Sequence, residues 1–271
     1  MVAPAPARKR ASRPRAPKNR VFKSRRPKAR APSGSVVYAI GDIHGRADLL
    51  DALHARIEAD AATRDAQRRV LVWLGDYVDR GADPKGVIER VMAPPAGFET
   101  VALLGNHEDL MLRFLEDPET GPDWMLNGGA QTLASYQIDM MDGCFFRADR
   151  WDALSRALRE ALPAPQRRFL ERLKLTHREG DYFFVHAGVR PDRALDDQDR
   201  DDLIWIRGEF LFSDMDYGAV VVHGHTISDE PQTRANRIGI DTGAYYSDRL
   251  TALALEGDRM TFLQTGETDA R

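Results

Sequence analysis

The chain has 271 residues, 42% of them hydrophobic, enough for one large domain or two small ones with a substantial core. A single cysteine, Cys144, excludes an intramolecular disulfide and makes a reducing, cytoplasmic location the simpler expectation; the longest apolar runs, such as Ala219–Val222, exclude a membrane-spanning helix, and no apolar signal-peptide core follows the basic start. The net charge of −3 hides two opposed regions: twelve of the 39 Lys and Arg residues, and none of the 42 Asp and Glu residues, lie in residues 1–35, which leaves the remainder at a formal −15.

Residues 1–34 interleave Arg and Lys with Pro and Ala. Like charges repel, proline blocks helix and few apolar groups are available to bury, so this basic tail is expected to stay disordered. Its charge suits attachment to an anionic partner, nucleic acid or a lipid surface. The plain alternatives are a solvated tail or an extension from a misplaced start codon. Frequent prolines count against the amphipathic helix of a transit peptide. From Ser35 the texture changes. Val36–Ile40 reads as a buried strand closed by Gly41, and Leu49, Leu50, Leu53 and Ile57 recur at helical spacing over residues 47–60. Val70–Leu74 is a second strand, a helix is predicted from Pro84 to Met92 with Pro84 in its first turn, and Thr100–Leu104 is a third strand. This rhythm of strand, polar segment and helix is α/β, with ligands at the carboxyl ends of strands. Residues 107–115 read as a helix, Asn127-Gly128-Gly129 as a turn, and 150–174 as two helices broken near Pro163-Ala164-Pro165. The stretch from about 110 to 178 is expected to be a helical insertion on a catalytic domain spanning 35–265, with 266–271 a C-terminal tail. The last third is β-rich: Tyr182–Val185, Ala219–Val222, Arg237–Asp241, Leu250–Leu255 and Met260–Leu263 all read as strands.

Five short segments carry the chemistry: Gly41-Asp42-Ile43-His44-Gly45, Gly75-Asp76-Tyr77-Val78-Asp79-Arg80-Gly81, Gly105-Asn106-His107-Glu108, His186-Ala187-Gly188 and His223-Gly224-His225-Thr226. Each sets Asp, His or Asn beside glycine after an apolar, β-branched run, so the side chains can converge on one point. Carboxylate, imidazole and amide oxygen suit a pair of divalent ions, a device for in-line displacement at phosphorus when the ions lie about 3.5–4 Å apart. Taken singly, an Asp before Gly is usually a turn residue and a buried His a hydrogen-bonded core residue. The joint occurrence of all five segments outweighs that reading.

The order and spelling of these segments resemble the metal-dependent phosphoprotein phosphatases of bacterial and phage type, within the calcineurin-like metallophosphoesterases, from about Val36 to about Leu255. The resemblance implies a two-sheet β-sandwich flanked by helices and a dinuclear centre, with manganese the expected metal and iron or zinc the alternatives. By resemblance, Asp42 and His44 bind the first ion, Asp76 bridges both, and Asn106, His186 and His225 complete the second. Asp42 and His44 lie two apart, so in an extended segment both would point the same way. His223 either supports a ligand or merely closes its strand; His54 and His177 are structural. Two ions sharing a water make hydroxide near neutral pH, and direct attack of that hydroxide on phosphorus needs no phosphoenzyme; Cys144 has no nucleophile signature. His107 is the expected acid for the leaving oxygen, oriented by Asp79, with a further metal ligand as its alternative role. Arg80, Arg207 and Asn106 would hold the phosphate; for Arg207 the alternative is an ordinary surface ion pair.

The expected activity is hydrolysis of a phosphorylated protein or peptide, at serine or threonine or with dual specificity. Ile240–Ala244 also resembles a late segment of bacterial and phage members. The alternative is hydrolysis of a diadenosine polyphosphate or another small phosphoester: symmetric diadenosine tetraphosphatases resemble the chain in length and most motifs but lack the counterpart of Asp79. A non-catalytic scaffold would have lost ligands, and none of the expected ones is missing.

Overall fold

The computed structural model describes residues 28–140 and 149–266. Cys144, the basic residues before Lys28 and residues 267–271 lie outside them. The first strand, β1 (Ser35–Ile40), is buried on both faces: Val36, Tyr38 and Ile40 point to one cluster of apolar side chains, Val37 and Ala39 to another. Next come α1 (Ala47–Ala62), β2 (Arg68–Trp73), α2 (Pro84–Met92) and β3 (Glu99–Ala102). The α2 helix starts where the sequence predicts because Pro84 tolerates its first turn and the Asp83 carboxylate accepts the Gly86 N–H at 2.9 Å.

Helices then take over: α3 (Asn106–Glu116), α4 (Gly121–Leu126), α5 (Gly129–Ser135), α6 (Arg150–Ala161) and α7 (Ala164–Leu170). The chain continues through β4 (Thr176–Glu179), β5 (Tyr182–Val185), α8 (Arg200–Trp205), α9 (Gly208–Leu211), β6 (Val220–His223), β7 (Gln232–Thr233), β8 (Arg237–Gly239), α10 (Ala244–Ser247), β9 (Thr251–Glu256) and β10 (Arg259–Gln264). Two sheets result, in the orders β10-β9-β1-β2-β3 and β4-β5-β6-β8-β7. Val37, Val72, Leu103, Phe184, Val222 and Ile240 fill the space between the sheets. Leu50, Ile57, Val87, Met111 and Phe114 cover the outer face of the first sheet, and Leu203, Ile204 and Phe210 cover that of the second. The expected two-sheet sandwich flanked by helices is the fold observed.

Within the first sheet β1, β2 and β3 run parallel, and within the second β5, β6 and β8 do. Parallel strands present their carboxyl ends together, and that edge of both sheets carries the polar segments. Two boundaries differ from expectation. The helical stretch, expected to reach about 178, gives way at Thr176 to β4, which pairs antiparallel with β5. The basic tail, expected to stay disordered to residue 34, is already anchored at Ala29–Ala31: Arg30 N–H donates to Asp181 at 2.9 Å, Ala31 N–H to the Gly257 carbonyl at 2.8 Å, and the Tyr182 hydroxyl to the Ala29 carbonyl at 3.2 Å. The short α8 and α9 were not expected, because segments this short and charged show no clear apolar period. Among the described residues no helix is long and apolar enough to cross a membrane.

The loops after β1 and β2 are zipped together. The N–H groups of Ile43 and His44 donate to the Asp76 carbonyl at 3.0 and 2.8 Å, and that of Gly45 to the Tyr77 carbonyl at 2.9 Å. Gly81 packs so closely here that a methyl group would overlap the His44 carbonyl oxygen. Gly81→Ala is therefore expected to cost about 1–3 kcal/mol, the range for overpacking a close contact, read from urea unfolding; wild-type stability would refute the close packing of these loops.

Candidate metal centre

All six expected metal ligands are almost wholly buried at this shared edge: Asp42, His44, Asp76, Asn106, His186 and His225. Two groups of ligand atoms form, each within 4.8 Å across: His44, Asp76 and His107, and Asp76, His186 and His225. Asp76 belongs to both. Its Oδ2 lies 3.4 Å from His44 Nε2 and 3.8 Å from His107 Nε2, and its Oδ1 lies 3.5 Å from His186 Nε2. One carboxylate thus offers one oxygen to each group.

The imidazoles are set to present lone pairs. The Nδ1–H of His44 donates to the Val78 carbonyl at 2.8 Å and that of His186 to the Leu74 carbonyl at 2.9 Å, which fixes the tautomer and turns Nε2 inward. Burial pushes His44 down to about 3 and His225 to about 2, and lowers His186, so all three are neutral at physiological pH. Burial disfavours charge on Asp76, but the imidazoles of His186, His107, His44 and His225 outweigh it and hold the carboxyl below its usual range.

These residues fit divalent cations. The inward Nε2 of His186 lies 2.9 Å from Asn106 Oδ1, a pair of acceptors that a shared cation satisfies. His225 Nε2 is buried with no hydrogen-bond partner. Burial beside Asp241 and Asp76 raises Asp42 well above the usual carboxylate range, a repulsion that positive charge relieves.

One expectation needs correction. Asp42 and His44 do not share an extended segment: His44 has φ 46°, and the chain wraps around the Asp76 loop instead. The Asp42 carboxylate accepts the backbone N–H of His225 at 3.1 and 3.0 Å, which ties it to the second ligand group's loop, and His107 joins His44 and Asp76 in the first group. His223 stands apart from both groups. Its Nδ1–H donates to the Gly224 carbonyl at 3.1 Å and its ring packs on Phe210 at 5.0 Å, so it closes its strand. His54 packs on Trp73, and His177 meets Glu179 at 3.0 Å, both away from the site.

His107 and Asp79 form a buried pair, with His107 Nδ1 2.7 Å from Asp79 Oδ2. Burial opposes protonation of His107, but Asp76 and Asp79 outweigh it and the net shift is upward. Burial raises Asp79 in turn, against hydrogen bonds from His107, Thr132 and Trp124. Arg80 reaches between the rings, donating to His44 Nε2 at 3.2 Å and His107 Nε2 at 3.1 Å, with its guanidinium 4.9 Å from the centre of the Tyr245 ring. Arg207, between α8 and α9, donates to the His225 carbonyl at 3.3 Å and so lies beside the second ligand group.

Glu108 is an unpredicted participant. Its carboxylate is fully buried and accepts the N–H groups of Asp76 (2.9 Å), Tyr77 (2.7 Å), Val78 (3.1 Å) and Gly105 (3.1 Å). Burial beside Asp76 pushes it up to about 8, but four N–H donors favour the ionised form and leave no acceptor for a proton. Its place three residues after the helix-capping Gly105 is the signal that marks it in sequence. Thr132 and Trp124 also reach the site, without any motif to announce them.

Residues 35–247 match the model of the calcineurin-like phosphoesterase family. The chain belongs to that family. It is 27% identical over 224 residues to serine/threonine-protein phosphatase 2 of Salmonella typhimurium, covering 79% of this chain and 90% of that protein. It is 24% identical over 234 residues to the asymmetrical bis(5'-nucleosyl)-tetraphosphatase PrpE of Anoxybacillus flavithermus, covering 79% and 88%. A solved structure provisionally assigned as a diadenosine tetraphosphatase superposes with a TM-score of 0.58 at 20% identity, covering 89% of this chain and all of the other. The chain is a metallophosphoesterase, a hydrolase of phosphoesters, and its family uses a dinuclear divalent metal centre.

Glu108→Gln is expected to turn an amide toward at least one of the four N–H donors, loosening the Asp76 loop. A stability loss of about 1–3 kcal/mol per orphaned donor, with reduced metal content by elemental analysis, is the outcome sought. Unchanged metal uptake and unfolding midpoint would show that Glu108 does not hold the loop.

Proposed function

We propose that this protein is a phosphoprotein phosphatase acting on phosphoserine and phosphothreonine, with two manganese ions at the paired ligand groups. Asp76 would contribute to both ions, with His44 and Asp42 toward the first and Asn106, His186 and His225 toward the second. When bound, the ions supply Lewis acidity that activates water and offsets phosphate charge. Arg80, beside His44 and His107, and Arg207, beside His225, would grip the phosphate oxygens.

The observation that carries the substrate class is the buried pair of Asp79 and His107. Asp79 fixes the ring with Nδ1–H toward itself, which leaves Nε2 facing the site, the atom from which a proton would pass to the leaving oxygen. An acid at this point matters most for an alkoxide, the leaving group of phosphoserine and phosphothreonine. It matters less for tyrosine, whose phenol has a pKa of about 10. It matters least for a phosphoanhydride, which leaves as an already stable anion. The likeness to serine/threonine-protein phosphatase 2 supports the same reading.

One observation favours a second reading. Trp205 lies edge-on to His225 at 6.1 Å, and Tyr245 edge-on to His44 at 5.5 Å, so aromatic rings flank the site on both sides. Such rings suit the stacking of nucleobases, as a dinucleotide polyphosphate would require, and the likeness to the tetraphosphatases agrees with it.

Initial rates with Mn²⁺ on a phosphoserine peptide, a phosphotyrosine peptide and diadenosine tetraphosphate separate the two. The phosphoserine peptide is expected to turn over fastest, and His107→Asn to slow it by about 10²–10⁴-fold, the usual contribution of a general acid, while slowing the dinucleotide far less. Preferential turnover of the dinucleotide, indifferent to His107→Asn, would overturn the proposal.

A further inference from the structure

The Asp79–His107 pair is held from outside the catalytic motifs by one segment of the helical region, Trp124 to Thr132, at the junction of α4 and α5. The Trp124 indole N–H spans both oxygens of Asp79, at 3.1 Å from Oδ1 and 3.0 Å from Oδ2. The Thr132 hydroxyl donates to Asp79 Oδ1 at 2.6 Å and accepts the Asp79 backbone N–H at 2.9 Å. Between them, the Gly128 carbonyl accepts the Arg80 N–H at 3.3 Å. Gly128 itself has φ 101°, and a methyl group there would lie 2.9 Å from Arg80 Cγ. Trp124 and Thr132 are both fully buried.

Two physical points give these contacts weight. Asp79 and Arg80 are successive non-glycine residues at φ 70° and 65°, a strained conformation that persists only where the surroundings over-determine it. Hydrogen bonds from the Trp124–Thr132 segment reach exactly these two residues, one after the other. The donors also fix the rotation of the carboxylate. With Thr132 and Trp124 on Oδ1 and Trp124 shared with Oδ2, the remaining direction of Oδ2 is the one that faces His107 Nδ1. A hydroxyl is needed at 132, because one oxygen must give a proton to the side chain and take one from the backbone of the same residue.

We infer that Thr132 and Trp124 are positioning residues for leaving-group protonation, acting through Asp79 on His107. The inference rests on the proposed role of His107 as the acid. Loss of either residue releases the carboxylate, lets the imidazole turn away and weakens proton delivery, while the metal ligands stay in place.

The test uses the full chain loaded with Mn²⁺, with a phosphoserine peptide and p-nitrophenyl phosphate as substrates of poor and good leaving group. Thr132→Val is expected to lower kcat on the peptide about 10–100-fold, within the range for a general acid, and on p-nitrophenyl phosphate less than about threefold, with metal content unchanged. Thr132→Ser keeps both hydrogen bonds and is expected to restore most of the peptide rate. Trp124→Phe, which keeps the ring and removes the N–H, provides a second variant should Thr132→Val fold poorly, and is expected to show the same selectivity. Equal losses on both substrates, or no loss on the peptide, would overturn the inference. His107→Asn measured alongside separates the two layers of the account. If it too affects both substrates equally, the acid role of His107 fails; if it is selective and the Thr132 and Trp124 variants are not, only the positioning role fails.

Discussion

The structure depends on one buried carboxylate with its two oxygens turned to different partners. Asp76 stands where two groups of imidazoles meet, and it is 2% exposed. Isolated charge at that depth is strongly disfavoured, so the architecture must compensate around it. It does so with neutral imidazoles whose outer nitrogens are tied to backbone carbonyls, with an amide oxygen at Asn106, and with four backbone N–H groups gathered on the neighbouring Glu108. Together these leave a cluster of inward lone pairs that a pair of cations completes.

The same constraint explains where strain is stored. Seven non-glycine residues have positive φ among those described, and five of them, His44, Asp76, Asp79, Arg80 and His225, belong to the site. Such conformations persist because rigid elements impose them. Parallel strands of both sheets end at one edge, the loops that leave them are cross-bonded, and the helical segment after β3 braces the Asp79–Arg80 turn from the side. The sandwich thus supplies the stiffness, and the loops supply the chemistry.

How much of this was legible in the sequence follows from the range of each interaction. The strands and helices up to Glu116 could be read because their apolar periods are local, and the start of Pro84–Met92 was legible through the proline in its first turn. The site was legible as five spelled segments, since each ligand sits beside its own turn. What could not be read is how the segments address one another. The Asp42 carboxylate meets a backbone N–H 183 residues away, and Asp79 takes donors 45 and 53 residues away in a helical stretch without motifs. The short β4, α8 and α9 escaped because four to six residues of mixed charge show no period.

The central claim is that one carboxylate serves two cations, and anomalous diffraction from crystals grown with Mn²⁺ tests it most directly. The account predicts two anomalous peaks on either side of Asp76, one against His186 and His225 and the other against His44, with a different Asp76 oxygen turned to each. A single peak, or a pair of which Asp76 touches only one, would contradict it.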